Sequence, residues 1–169
     1  DQDSIDYKAH TNEEISKFSG EQVLEEILKA NLFTYFRQRP FNVIPNHKVP
    51  PRDIFISGLN TGPLSVDIEV VMAGQLENFQ NGINAISKLT KGNVYLTTKK
   101  NSVLSSIENV KLNTISGPHP AGNVGIQIHH ISHLRPGEIV WTINPQEVAT
   151  LGKLLKTVRY DPFRVISVG

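Results

Sequence analysis

The chain has no cysteine among its 169 residues. That absence excludes disulfides, cysteine-ligated zinc, iron–sulfur clusters held by cysteine and a thiol nucleophile. An excess of charge of one sign is also missing, because 17 Lys and Arg residues balance 16 Asp and Glu residues. A general nucleic-acid-binding protein needs a clustered basic surface to gather phosphates, so the composition argues against nucleic acid as a partner.

Long apolar runs are lacking as well. No segment approaches the roughly 20 residues that cross a bilayer as a helix, and the polar N-terminal stretch does not have the pattern of a signal peptide. We therefore expect any membrane association to go through protein partners. The length suits one globular domain with its own core. We interpret residues 1–18 as a polar lead-in or linker and residues 19–169 as the domain, and we expect it to be a part of a longer protein.

Three helices are predicted from caps and apolar periodicity. Ser19 and Gln22 form a capping box at the start of the first. The second is expected to stop at Gly92 in a left-handed conformation, and Asn144 and Pro145 begin the third. The residues expected to face the core are Val23, Leu24, Ile27 and Leu28 in the first helix, Leu76, Phe79, Ile83, Ile86 and Leu89 in the second, and Val148, Leu151, Leu154, Leu155 and Val158 in the third.

Short apolar runs between these helices predict the strands. They cover residues 53–57, 94–98, 138–143 and 163–168, and the alternation of Val110, Leu112 and Thr114 is typical of a half-exposed strand. Trp141, in the middle of one run, is expected in the core. Because a dozen or more residues separate successive strands, mostly parallel pairing is favoured. The sequence thus predicts a Rossmann-like three-layer α/β domain with a mostly parallel sheet.

In such a domain ligands bind beyond the carboxyl ends of the strands. The loop at residues 58–63 follows the first long strand, and it has neither the G-x-G-x-x-G spacing of a dinucleotide site nor the lysine of a P-loop. Glycines that serve a tight turn account for its composition. Dinucleotide binding is the alternative that this loop leaves open.

Residues 117–122, Gly-Pro-His-Pro-Ala-Gly, form a second unusual loop, and histidines recur beyond it at 129, 130 and 133. Two adjacent histidines point to opposite faces of a strand, or about 100° apart on a helix. We therefore expect hydrogen-bonded or partly exposed histidines and no metal site. No serine stands in a G-x-S-x-G turn, so the sequence offers no self-contained active site and no catalytic residue.

Arg37 and Arg39 lie on the same side of an extended segment, because alternate residues of a strand share a face. Two guanidinium groups in this arrangement can hold a carboxylate, a phosphate or an acidic patch of another protein. Ordinary solvation, or an ion pair with a neighbouring side chain, accounts equally for two surface arginines.

Several segments together resemble a known family. They are Arg-Gln-Arg-Pro-Phe at 37–41, Leu-Thr-Lys-Gly at 89–92 before the strand at 94, the hexapeptide at 117–122, and the stretch from Trp141 to Leu154. From about residue 23 to 169 the chain is similar to the A subunits of the bacterial Na⁺-translocating NADH:quinone oxidoreductases (Na⁺-NQR). It departs from the family at residues 127–129, where Gln-Ile-His replaces the usual His-x-His, and at His130, where the family has an aromatic residue.

The resemblance implies a peripheral subunit on the cytoplasmic face of the bacterial inner membrane. Its six-subunit complex couples quinone reduction to Na⁺ export, with NADH, flavins and iron centres in or with other subunits and no cofactor in this domain. The family's fold is similar to that of the flavin- and NADH-binding subunit of proton-pumping NADH dehydrogenases, in which an acidic loop follows the first strand. Here the matching loop is residues 58–63, and Asp67 is the first acid beyond it, which indicates an old cofactor site without its ligands.

We therefore expect a non-redox scaffold at the quinone-reducing end, and we expect its principal partner to be the quinone-reducing membrane subunit. The alternatives are a flavin- and NADH-binding dehydrogenase domain and an interaction domain unrelated to respiration. The candidates for contact with other subunits or with quinone are Arg37, Arg39, Phe41, His119, Pro120 and His129.

Overall fold

A computed structural model of the chain describes residues 14, 17–157, 160, 161 and 163–168. Its centre is a five-stranded sheet in the order β1-β5-β2-β3-β4. The four strands from β5 to β4 run parallel to one another, and β1 pairs antiparallel with β5. The mostly parallel α/β architecture predicted from the sequence is confirmed, although the sheet is mixed. The strands are β1 (Arg37–Arg39), β2 (Ile54–Ser57), β3 (Val94–Thr98), β4 (Lys111–Thr114) and β5 (Val140–Ile143).

Between residues 18 and 157 the α-helices are α1 (Gly20–Lys29), α2 (Ile68–Met72), α3 (Leu76–Ile86), α4 (Val124–Ile131) and α5 (Pro145–Thr157), and the 3₁₀ turns are Leu32–Tyr35, Ser87–Leu89 and Val103–Ser106. Side-chain caps begin α1, α2, α4 and α5, whereas α3 has no side-chain cap hydrogen bond. The capping box of α1 is confirmed, since the Gln22 amide donates to Ser19 Oγ at 3.2 Å and the Ser19 amide donates to Gln22 Oε1 at 2.8 Å. Asn144 Oδ1 likewise accepts from the Gln146 amide at 3.0 Å. No helix of the described residues has the length and apolar character that a membrane crossing requires.

The two faces of the sheet are covered unequally. The larger core lies on one face, where α1, α2, α3 and α5 bury apolar side chains against β2, β3 and β5. Trp141 belongs to this core, as predicted, and its ring lies 5.4 Å from the ring of Phe33 in an edge-on contact. On the opposite face a small cluster joins Phe55, Ile128 and Val140. α4 supplies Ile128, so this one short helix covers that small cluster.

The predicted strand at residues 163–168 is wrong. The described residues of this segment have no regular secondary structure, and the Phe163 and Val168 side chains are 72% and 90% exposed. The Val165 amide donates to Gln146 Oε1 at 3.0 Å, and Gln146 Nε2 donates to the Val165 carbonyl at 3.1 Å. One side-chain amide therefore provides the two hydrogen bonds that a neighbouring strand would have provided.

Two details of the predicted helices also need correction. Gly92 is not left-handed; a Cβ atom there would come within 1.9 Å of the Arg52 carbonyl oxygen, so close backbone approach explains the glycine. Leu28 is 38% exposed, and the fully buried stripe of α1 is narrower than predicted, with Val23 and Ile27. Val158 lies outside the described residues.

Candidate functional site

A cleft of about 320 Å³ lies at the carboxyl ends of β2 and β5. From β2 the chain adds β3 and then β4 on one side, and it then returns to add β5 on the other side of β2. The direction of winding therefore reverses between the adjacent strands β2 and β5. This reversal is the topological switch point, where open α/β sheets bind ligands. The lining residues are Tyr35, Arg37, Ser57, Leu59, Asn60, Ile68, Gly122, Val124, Thr142, Ile143, Asn144 and Glu147.

The Gly/Pro/His loop, residues 117–122, closes against the loop that follows β2. The Gly122 amide donates to Thr61 Oγ1 at 2.8 Å, and Ser57 Oγ lies 3.3 Å from the Gly122 carbonyl, to which it donates. A Cβ atom at residue 122 would come within 2.6 Å of the Thr61 backbone nitrogen. Glycine is therefore needed at this position because the two loops touch backbone to backbone.

Gln127 in α4 bridges the Gly/Pro/His loop and the end of β2. It is fully buried, and its Nε2 donates to Ser57 Oγ at 2.9 Å and to the Ala121 carbonyl at 3.1 Å. The Leu59 carbonyl lies closer to Ser57 Oγ, at 2.9 Å, so the single hydroxyl proton of Ser57 is shared between the Leu59 and Gly122 carbonyls. Gln127 Oε1 is buried without a hydrogen-bond partner among the described residues. In the sequence, Gln127 stands out only because it replaces the first histidine of the family's His-x-His. That replacement was interpreted as the loss of a histidine, so the structural role of the glutamine was not predicted.

Arg37 is the candidate residue that lines the cleft. Its Nη1 donates to the Phe36 carbonyl at 2.9 Å and also to the Thr34 carbonyl. Glu147, which also lines the cleft, pairs through Oε1 with Arg164 Nη2 at 2.6 Å. Both charged groups of the cleft are thus already engaged, Arg37 with backbone carbonyls of its own segment and Glu147 with a cation.

Tyr35 adds a phenol that sequence reasoning did not select. Its hydroxyl lies 3.2 Å from the Tyr160 hydroxyl, and the Arg164 guanidinium stands 5.6 Å from the centre of the Tyr35 ring. Burial and the Tyr160 hydroxyl raise the pKa of Tyr35 to about 12. At neutral pH the group is an uncharged hydrogen-bond donor beside the cleft.

The other five candidate residues do not line the cleft. Arg39 shares a face of β1 with Arg37, as predicted, but its Nε is buried without a partner among the described residues, and burial lowers its pKa. Phe41 is 76% exposed beyond β1. His119 and Pro120 lie in the exposed part of the Gly/Pro/His loop, with His119 Nδ1 3.4 Å from Thr61 Oγ1, and His129 lies in the last turn of α4.

The loop at residues 58–63 borders a second hollow of about 340 Å³ with Asp67 and Lys99 on its wall. A Cβ atom at Gly58 would meet the Leu104 side chain at 2.8 Å and the Thr97 carbonyl at 3.0 Å, so packing explains this glycine. Asp67 caps α2, and Lys99 Nζ lies 3.0 Å from Asp67 Oδ2. The Glu69 amide and then Lys99 lower the pKa of Asp67. The first acid after this loop is therefore committed to a cap and an ion pair.

Comparison with known proteins gives a consistent result. Residues 18–160 match the family model described as NqrA second alpha/beta domain. The relatives include the A subunit of the Na(+)-translocating NADH-quinone reductase of Marinomonas sp. (strain MWYL1), 33% identical over 98% of this chain and 37% of the relative. The protein of the same name from Pasteurella multocida (strain Pm70) is 34% identical over 98% of this chain and 38% of its own length. The protein of the same name from Neisseria meningitidis serogroup B is 34% identical over 99% of this chain and 38% of its own length. The chain thus spans little more than a third of the length of these relatives.

Proposed function

Since the chain belongs to the family of NqrA second alpha/beta domains, we propose that it works as one domain of the A subunit, NqrA, in a Na⁺-translocating NADH-quinone reductase. The relatives bear that name, and the resemblance seen in the sequence is confirmed. The complex named in this way couples the reduction of a quinone by NADH to the movement of Na⁺. The domain lies in a peripheral subunit on the cytoplasmic face of the membrane.

Within NqrA, we propose a non-redox scaffold with a Rossmann-like fold. The observation that carries this role is the contact of Gly122 with Thr61. In a dinucleotide-binding domain the turn after the first strand leaves its backbone free for the approach of a pyrophosphate. Here the Gly/Pro/His loop approaches the Thr61 nitrogen, and its Gly122 amide donates to Thr61 Oγ1 at 2.8 Å. A phosphate group has no room at that contact unless the two loops separate.

The exposed apolar residues after β1 support a docking role at the quinone-reducing end. Phe41, Val43 and Ile44 are 76%, 48% and 53% exposed within four consecutive residues. Arg39 ends β1, and Pro40 alone separates it from Phe41; its Nε is buried and has no partner in the part of the chain that the structure describes. Neighbouring exposed apolar residues beside a cation are typical of protein–protein contact surfaces. The partner proposed for this surface is one of the membrane subunits of the complex, above all the one that reduces quinone.

Co-purification of whole NqrA with the membrane subunits tests the scaffold role. Phe41→Glu is expected to weaken the association because it places a charge in the apolar contact. Leu64→Glu is the matched control, since Leu64 is 78% exposed on a different loop. Equal retention of both variants would reject the docking surface after β1.

The cleft at the switch point favours a second candidate, a flavin- and NADH-binding dehydrogenase domain. Asn60, Asn144 and the Tyr35 hydroxyl present polar groups there beside apolar walls, as in ligand sites generally. Calorimetric titration of the chain with FMN, NADH and a short-chain quinone, alongside Trp141 fluorescence, separates the two functions. The scaffold predicts no saturable heat with FMN or NADH. Saturable binding that Asn60→Ala and Asn144→Ala both weaken would establish the dehydrogenase domain instead.

A further inference from the structure

His129 and His133 converge at the end of α4. Their Nδ1 atoms are 3.0 Å apart, the ring centres are 4.8 Å apart, and the ring planes are inclined by 81°. Both residues are exposed. Their spacing of four residues places them on the same side of the chain as it leaves the helix. The adjacent His129 and His130 do not converge in this way, and the sequence alone did not indicate that His133 would lie against His129.

Arg52 fixes the backbone that carries His133. Its Nη2 donates to the Ser132 carbonyl and to Ser132 Oγ, both at 2.8 Å, and its Nη1 donates to the His133 carbonyl at 3.2 Å. The guanidinium is neutralised by Asp53 Oδ2, 2.7 Å from Nε, and by Glu138. The backbone at His133 is thus held in place before any ligand arrives, and the nearby positive charge is balanced by two carboxylates.

We propose that His129 and His133 form a bidentate site for a divalent transition-metal ion, in the class of Cu²⁺, Ni²⁺ and Zn²⁺. Imidazole nitrogen is a preferred ligand of these ions. With metal–nitrogen bonds of about 2.0–2.1 Å, two ligand nitrogens stand about 2.9 Å apart at a right angle and about 3.4 Å apart at the tetrahedral angle. The observed 3.0 Å is near the right-angle value. Cu²⁺ is expected to bind more tightly than Ni²⁺ or Zn²⁺, because affinity for nitrogen ligands is highest for Cu²⁺ among the divalent ions of the first transition row.

Two further features favour a cation at this point. The site lies at the carbonyl end of α4, where the helix dipole is negative. A hydrogen bond between two neutral imidazoles at this distance requires the proton on one of the two Nδ1 atoms. Metal binding uses the lone pairs of both Nδ1 atoms, so a neutral ring with its proton on Nδ1 moves that proton to its own Nε2, and the pair releases none to solvent.

Water completes the coordination, because among the described residues no group of three or more His, Asp or Glu side chains converges on one point. The site therefore binds exchangeable metal in the micromolar range rather than a permanent structural ion. His130 is the matched control, since it lies in the same helix turn and its ring contacts His129 edge-on at 5.4 Å without joining the pair.

Calorimetric titration of the untagged full chain with CuSO₄, NiCl₂ and ZnCl₂ tests the site. We expect one equivalent to bind, with Cu²⁺ tightest, and the affinity to fall about tenfold or more in His129→Ala and in His133→Ala. His130→Ala is expected to bind as the unmodified chain does. In ¹⁵N spectra of the imidazoles Zn²⁺ is expected to shift the Nδ1 signals of both residues.

Three results would overturn the proposal. They are the absence of saturable binding in the micromolar range, an equal loss in His130→Ala, and undiminished binding in the two ligand variants. Circular dichroism of each variant shows whether α4 remains folded, so that a loss of binding is assigned to the missing nitrogen and not to unfolding. This site stands independently of the function proposed above.

Discussion

Gly152 of α5 lies so close to Asn78 of α3 that a Cβ atom on residue 152 would come within 1.9 Å of the Asn78 carbonyl oxygen. Gly82 of α3 meets Val148 of α5 in the same way, at 2.1 Å from its carbonyl oxygen. The two helices therefore cross with their backbones in contact. Side chains on either glycine would force the helices apart over the larger core.

Gly152→Ala and Gly82→Ala are expected to destabilise the domain by about 3 kcal/mol each, because the obstructing atoms belong to backbone that cannot rotate away. Alanine is the better helix former by about 1 kcal/mol, so propensity alone predicts the opposite sign. Urea unfolding measures the difference. Gly62→Ala is the control, since its Cβ atom meets Asn60 Oδ1 at an ordinary 3.5 Å. A stabilised Gly152→Ala would show that the helices do not cross so closely.

Gln127→Glu is expected to make stability depend on pH. A buried carboxyl without a cation has a folded-state pKa above its unfolded-state value of about 4.3. The penalty is therefore small below pH 4 and grows as the pH rises through that value. Urea unfolding at pH 4 and pH 7.5 measures the change. Gln127→Met loses the same hydrogen bonds without a charge and should be destabilised equally at both pH values; equal pH dependence in the two variants would contradict the prediction.

Arg52→Met is expected to destabilise the domain by about 3 kcal/mol, because it leaves a buried carboxylate without its cation. Asp53 is 4% exposed, and among the described residues it would keep only its bonds from Asn93, of which the backbone bond is 2.8 Å long. Thermal unfolding measures the loss. Arg135→Met, at an exposed position, should change stability by no more than about 0.5 kcal/mol. Similar losses in the two variants would mean that the Asp53 pair adds nothing specific.

Tyr35 is expected to ionise late. Its pKa of about 12 exceeds the ordinary value of 10.0, so the folded state favours the neutral phenol. That contribution to stability is fully present below pH 10 and is lost as the pH rises between 10 and 12. Tyrosinate absorbance, compared between the unmodified chain and Tyr35→Phe, isolates this titration. Tyr160→Phe removes the hydroxyl neighbour and should lower the Tyr35 pKa while burial keeps it above 10; an unchanged value would assign the shift to burial alone.

Local signals predicted the fold well where the sequence itself contains the interaction. The Ser19 capping box and the strand at residues 94–98 need no distant partner to be recognised. The strand predicted at 163–168 was wrong because an apolar run does not specify what pairs with it. α4 was not anticipated, although Asn123 accepts a cap bond from the Gly125 amide at 2.8 Å, because the nearby glycines and histidines obscured the helical period.

The site was less predictable than the fold. The strand-end rule directed attention to the edge of the sheet at which the cleft lies, and Arg37 lines that cleft. Tyr35 and Gln127 could not be selected, because their roles depend on contacts with Tyr160 and Ser57, 125 and 70 residues away in sequence. Tertiary packing brings these residues together, and the local spacing of apolar residues in the sequence does not predict such contacts.

Because the two faces of the sheet are covered unequally, we expect backbone amide hydrogens to exchange in two groups that differ in the free energy of the opening that exposes them. The amides of β2 lie between helices on both faces, so their hydrogens exchange with solvent only when the larger core opens. α4, in contrast, is joined to the sheet through the small cluster of Phe55, Ile128 and Val140. A unit with few buried apolar contacts opens at a lower free energy than the whole domain. Each such opening would carry Gln127 away from Ser57 and release the Gly/Pro/His loop, so the edge of the sheet beneath that loop is exposed transiently in the native ensemble, without global unfolding.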